Sequence, residues 1–156
     1  MLGEVVGEAS GKITNIKVLE NAGDRSKVEV SLQGQGKLAE VGITEIASYW
    51  QEMRPGRILY GEGGMVWTTD DGELLSWKGF GFGKPTGPGY SASWAGCGSI
   101  QTSSERFAHL AGVAVLAEYE VGEQGNYHWT AWEWKGPGGL TIKPHRVAGA
   151  RGALEC

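Results

Sequence analysis

The stretch Gly79-Phe80-Gly81-Phe82-Gly83 decides the fold class. Because side chains alternate between the two faces of a strand, this segment places its three glycines on one face and its two phenylalanines on the other. Glycine weakens a strand unless the backbone has to bend sharply or another group has to approach closely. We therefore predict a curved strand with one face left open to a large neighbouring ring, which the tryptophans of the chain are suited to fill.

Glycine interrupts other predicted strands in the same way. The chain has 27 glycines among 156 residues, well over twice the ordinary share of about 7%. Small closed barrels coil their strands at corners, where glycine or a bulge makes the bend. This pattern favours a closed barrel over an open meander. Other glycines inside predicted strands include Gly34, Gly36, Gly61, Gly63, Gly64, Gly96 and Gly98.

Apolar and polar residues alternate with a period of two along most of the chain. Val28, Val30 and Leu32 lie on one face of such a segment, and turn signals such as Asp70-Asp71-Gly72 separate the segments. The fold class is therefore all-β, an antiparallel up-and-down β-barrel of about eight strands. The strands are predicted at residues 3–20, 27–36, 38–53, 57–69, 73–83, 90–102, 113–121 and 126–135.

One segment, Ser103 to Gly112, has helical signals. Its serines are suited to an N-cap, Phe107 and Leu110 fall on one face, and Gly112 is a fitting stop. These signals predict one short helix. Residues 46–53 form a weaker helical candidate, because their aromatic residues fit a strand equally well.

Composition and charge describe one globular domain. Hydrophobic residues make up 40% of the chain, and the net charge is -4 with the two signs mixed along it. The chain has no concentrated basic patch, so we expect no nucleic-acid partner. It also has no apolar run of about 20 residues, so we expect no membrane span. These features predict a cytoplasmic protein. We assign residues 1–136 to the barrel domain and 137–156 to a basic tail, either a partly ordered arm or an extension of the reading frame.

Signatures of metal and cofactor sites are weak. Gly79-x-Gly-x-Gly lacks the following helix of a dinucleotide loop, because prolines and glycines follow it directly. The three histidines have no metal-ligand spacing, and Cys97 and Cys156 are expected to be free thiols. We therefore expect no metal and no cofactor.

Aromatic residues point to a ligand. Trp129 shares one face of the last strand with Glu133, while Trp132 and Trp134 share the other face with His128. Rings on both faces indicate a core together with a homodimer interface, or a ring-lined pocket for a small apolar molecule, and the two are compatible. The predicted ligand-binding residues are Tyr49, Trp67, Trp77, Trp94 and Trp129, with Glu62 and His128 as polar anchors.

Two carboxylates are candidates for acid–base chemistry. A carboxylate inside an apolar lumen is costly to ionise, which suits a general acid or base near neutral pH. Glu62 lies between small residues that let a ligand approach, and Glu133 lies between two tryptophans. The alternative to simple binding is therefore a cofactor-free isomerase, cyclase or hydrolase. A second alternative is a structural or interaction protein with a filled core.

Several features of residues 61–134 occur together. They are the glycine-rich strands, the segment Trp94-Ala-Gly-Cys-Gly-Ser-Ile100, the segment Ser104 to Gly112, and the returning strand Val113 to Glu120. In this combination the chain resembles the small β-barrels grouped with allene oxide cyclase and the lipocalin-like calycins. The resemblance implies a lumen that binds apolar small molecules and, in some members, rearranges them. It matches no catalytic residue of the cyclases to this chain.

Overall fold

The computed structural model describes residues 2–136, and nearly all of them lie in strands or in the turns between strands. The predicted tail, residues 137–156, lies outside the described residues. Within the described range, no helix is long and apolar enough to cross a membrane. The strands are β1 (Leu2–Glu20), β2 (Lys27–Leu38), β3 (Val41–Arg54), β4 (Ile58–Thr69), β5 (Leu74–Pro85), β6 (Ala92–Gln101), β7 (Ala114–Val121) and β8 (Asn126–Trp134).

The eight strands close into an up-and-down barrel in chain order. Each strand is antiparallel to the next, and β8 returns to pair with β1, so that Leu2 lies opposite Trp134 and Lys12 opposite Asn126. This closure confirms the predicted barrel and rules out an open meander. The observed strands agree with the predicted ones to within three residues at each end, because turn residues and period-two patterning both mark the boundaries.

Inward-facing glycines form two rows across the middle strands of the barrel. One row pairs Gly61 of β4 with Gly81 of β5 and Gly96 of β6, and the next pairs Gly63 with Gly79 and Gly98. We call these six residues the glycine wall. At most of these positions the backbone of a neighbouring strand comes too close to admit a Cβ; at Gly79 a Cβ would lie 2.2 Å from the Cys97 carbonyl oxygen.

The rings predicted to cover these glycines are present. A Cβ on Gly79 would lie 2.4 Å from the Trp77 indole, and a Cβ on Gly98 would lie 2.6 Å from the same ring. A Cβ on Gly83 would lie 2.5 Å from the Trp94 indole. The prediction that glycines on β5 leave room for large rings is therefore confirmed.

A connection between β6 and β7, residues 102–113, closes one end of the barrel. The predicted helix is shorter than expected, since only Ala108–Leu110 form a turn of 3-10 helix. Phe107 and Leu110 are buried in the core, as their shared face predicted. The segment is held from outside by Arg106, whose guanidinium donates two hydrogen bonds to Asp71, at 2.9 and 3.0 Å. These anchors on both sides favour an extended course over a regular helix.

Candidate ligand cavity

A cavity of about 110 Å³ lies inside the barrel between the glycine wall and the aromatic side chains that face it. The five aromatic residues predicted to line the lumen all border this cavity. Most of its other lining comes from aliphatic side chains and bare backbone. The aromatic residues that border it with their inward-facing rings are Tyr49, Trp67, Trp77, Trp94, Tyr119 and Trp129.

The cavity exists because small residues occupy the inward positions on several strands. On the strands that flank the glycine wall, Ala47 of β3 and Ala117 of β7 also border the space. Ala47, Ala117 and Met65 face inward by register, yet they are only half-buried. Inward-facing residues in mid-strand are normally buried by their neighbours, so half-burial here means that they face open space.

A buried carboxylate, Glu45 of β3, lies behind one side of the cavity and is 2% exposed. The Tyr127 hydroxyl donates to its Oε1 at 2.6 Å, and the Trp67 indole donates to its Oε2 at 2.9 Å. The Trp129 indole donates to both oxygens, at 3.0 and 3.1 Å. We call these four residues the Glu45 cluster. Three donors converge on an acceptor-only group, so both indoles are fixed where they border the cavity.

Glycine also makes room for this cluster. A Cβ on Gly34 would lie 2.3 Å from the Tyr127 hydroxyl oxygen, and a Cβ on Gly11 would lie 2.7 Å from it. Larger residues at either position would displace the hydroxyl from Glu45. The sequence reasoning did not identify Glu45. The alternation of Ile43, Glu45 and Ala47 on one face of β3 is the signal that would have placed it inside.

Two phenol hydroxyls meet at the border of the cavity. The hydroxyl oxygens of Tyr49 and Tyr119 are 3.4 Å apart, and their rings pack edge to face with centroids 6.1 Å apart. Burial raises the pKa of Tyr49 to about 12 and raises the pKa of Tyr119 above its ordinary value. Both groups are therefore neutral at physiological pH. We call these two residues the tyrosine pair.

The structure corrects the predicted orientation of Glu62. Gly61 and Gly63 face inward, so Glu62 between them faces outward, where its side chain is exposed. Its Oε1 accepts a hydrogen bond from the Tyr60 hydroxyl at 2.5 Å on the same outer face. Glu62 borders the cavity because the adjacent glycines leave the main chain bare. Glu62 was predicted to act as a general acid or base and as a polar anchor because it was expected to be buried in the lumen. That expectation is wrong.

The other two polar candidates, Glu133 and His128, do not border the cavity. Glu133 shares the inward-facing parity of Trp129 but lies one residue from the end of β8 and is half-exposed. His128 is on the outer face, where its Nε2 lies 3.8 Å from Glu120 on β7. The prediction that His128 faces the lumen is wrong, because it alternates with the buried Tyr127 and Trp129. Catalysis by Glu133 stays a prediction.

Comparison with known proteins shows the fold alone. No protein-family model and no curated protein matches the chain. A protein of unknown function from Clostridium acetobutylicum has a similar structure, with a TM-score of 0.71, 9% identity, and coverage of 84% of this chain and 97% of that one. A conserved protein of unknown function from Rhodopseudomonas palustris gives a TM-score of 0.69 at 13% identity, covering 85% and 97%.

A third solved structure, a beta-barrel like protein from Acinetobacter baumannii, gives a TM-score of 0.69 at 14% identity, covering 85% of this chain and 94% of that one. Each neighbour is aligned over nearly its whole length, so the likeness extends over the barrel as a whole. The chain is thus similar to a group of bacterial β-barrel proteins.

Proposed function

We propose that the protein binds a small, mostly apolar organic molecule in the lumen of the barrel. The observation that carries this proposal is the cavity of about 110 Å³ bordered by aromatic rings and bare glycine backbone. An eight-stranded barrel has an interior that is either filled by its own side chains or holds one small ligand. A buried apolar cavity of about 150 Å³ binds benzene, so this space suits a molecule of about one ring.

The energetic cost of the cavity supports a role for it. Unfilled core volume costs about 24 cal/mol per Å³, so a cavity of this size costs about 2 to 3 kcal/mol of stability. That is a large share of the stability of an ordinary domain. A single larger residue at Ala47 or Ala117 would occupy much of the space. Small residues at these positions are consistent with a lumen that is kept open for a ligand.

The walls are also preorganised. Hydrogen bonds to Glu45 fix the indoles of Trp67 and Trp129, and the backbone of the glycine wall has few conformations open to it inside a closed sheet. Preorganised sites lose less conformational entropy when a ligand binds. The resemblance to the allene oxide cyclase and calycin barrels, whose members bind apolar molecules in the lumen, points the same way but rests on fold analogy.

The direct test is titration of the protein with ethylbenzene, followed by tryptophan fluorescence and by calorimetry. Four of the tryptophans border the cavity, so we expect a saturable change in their emission. The variant Ala117→Leu fills the cavity and should abolish binding. The matched control Ala95→Leu adds the same atoms on the exposed outer face of β6 and should bind like the parent protein.

Absence of saturable binding across a panel of one-ring molecules, such as ethylbenzene, acetophenone and cyclohexanone, would overturn the proposal. Equal binding by Ala117→Leu and the parent protein would show that the ligand binds outside the cavity, and would also overturn the proposal. The homodimer predicted from the outer rings stays a prediction, which sedimentation equilibrium of the full chain checks.

A further inference from the structure

The hydrogen-bonding capacity of the tyrosine pair is only partly used. A phenol hydroxyl donates one hydrogen bond and accepts others, so two hydroxyls facing each other use one of their two protons between them. The oxygen–oxygen distance of 3.4 Å is long for such a bond. Neither hydroxyl has another hydrogen-bond partner within residues 2–136. One O–H donor therefore remains without an acceptor among the described residues.

This spare donor lies where a ligand would meet it. Both tyrosines border the cavity, and burial dominates the rise in the pKa of each phenol. The indole N–H groups of Trp67 and Trp129 are already used by Glu45. The two side chains are half-buried and face an apolar cavity. A donor without an acceptor is unfavourable there, so a ligand that brings an acceptor to this point gains from pairing it.

The charges around the cavity exclude one class of ligand. Among the described residues that border it, none is a lysine, an arginine or a histidine. Behind the indoles of Trp67 and Trp129 lies the carboxylate of Glu45, which repels an anion. An anionic ligand would lose its hydration and meet no compensating cation. The lumen therefore suits neutral molecules.

We propose that the ligand is a neutral molecule of about one ring with one hydrogen-bond acceptor, a carbonyl or ether oxygen, which accepts the spare hydroxyl proton of Tyr49 or Tyr119. The remainder of the molecule packs against the indoles and the bare backbone of the glycine wall. This inference rests on the proposed function and adds the chemical class of the ligand and the atoms that recognise it.

The test compares three probes of similar size: ethylbenzene, acetophenone and benzoate. Calorimetry measures their binding to the parent protein and to the double variant Tyr49→Phe/Tyr119→Phe. Replacing both hydroxyls removes the donor together with its acceptor and keeps the ring shapes, so the fold should survive. Circular dichroism and urea unfolding check that it does. The variant Tyr60→Phe, on the outer face, is the matched control.

We expect the double variant to bind acetophenone about fivefold to tenfold more weakly than the parent protein, the range for loss of one hydrogen bond. Its affinity for ethylbenzene should stay within about twofold. Each single variant leaves one phenol with a free proton, so each should lose less acetophenone affinity than the double variant. Benzoate should bind more weakly than acetophenone to every variant.

The outcomes separate this inference from the proposed function. If ethylbenzene and acetophenone both fail to bind the parent protein, the proposed function fails. If both bind, and the double variant weakens their affinities equally or leaves both affinities unchanged, the cavity is a binding site but the tyrosine pair is not its polar anchor. Benzoate binding as tightly as acetophenone would overturn the restriction to neutral ligands.

Discussion

Two sides of the barrel lumen use inward-facing glycines for different ends. On the side formed by β1, β2 and β8, Gly11 and Gly34 make room for the Tyr127 hydroxyl, and the Glu45 cluster fills the space. On the side formed by β4, β5 and β6, Gly79 and Gly98 make room for the Trp77 indole, whereas the three atoms nearest to a Cβ on Gly81 or Gly96 would be backbone atoms, and the cavity remains beside them. The comparison teaches that glycine in a barrel strand admits a ring in one place and leaves room in another.

The largest expected loss of stability follows from substitution of Glu45, the residue at the centre of the filled side. Glu45→Gln keeps the size of the side chain but replaces one carboxylate oxygen by a donor, which leaves at least one of the three surrounding donors without an acceptor. We expect a loss of about 3 kcal/mol in the free energy of unfolding, measured with urea. The control Glu118→Gln, on the exposed face of β7, should change it by less than about 0.5 kcal/mol. Equal effects of the two variants would show that the cluster does not stabilise the fold.

Two alanine substitutions compare the two sides directly. A Cβ on Gly34 would lie 2.3 Å from the Tyr127 hydroxyl and 2.4 Å from the Ser10 carbonyl oxygen, whereas a Cβ on Gly96 would lie 3.1 Å from the Phe80 carbonyl oxygen and next to the cavity. Gly34→Ala should therefore cost about 2 to 3 kcal/mol and Gly96→Ala less than about 1 kcal/mol in urea unfolding. The reverse order would contradict the distinction between a filled and an open side.

A smaller effect concerns pH. The pKa of Tyr49 is raised to about 12 from 10.0, so the unfolded chain loses this proton at a lower pH than the folded protein. The stability that the neutral phenol contributes is complete below pH 10 and is lost as the pH rises towards 12. We expect a loss of about 2 kcal/mol from this residue over that range. Urea unfolding at several pH values checks this, and Tyr49→Phe should show a shallower decline than the parent protein. Identical declines would contradict a buried neutral phenol.

Most of the fold follows from local patterns in the chain, whereas the site follows from them only in part. Period-two alternation and turn residues act within a few neighbours, so the strands could be predicted. Partners of Glu45 lie 22, 82 and 84 residues away, and a glutamate is almost never fully buried unless such partners surround it. The role of Glu45 depends on closure of the barrel, and a short window of sequence around Glu45 does not show which distant residues closure brings next to it.

The error at Glu62 has a different physical origin. Small neighbours suggested access for a ligand, but in a strand those neighbours occupy the opposite face. The alternation that placed Phe80 and Phe82 opposite the glycines of β5 places Glu62 outside in the same way. Five of the aromatic residues that line the cavity could be predicted because they lie inside predicted strands and their large rings reach the centre of a small barrel.

A crystal structure of the protein soaked with bromobenzene tests the central claim most directly, because bromine scatters X-rays anomalously and marks its own position. We predict an anomalous peak inside the barrel, bordered by Trp77, Trp94 and Gly96. Absence of a peak there, with indole rings occupying that space, would show that the lumen is a filled core and would contradict the account.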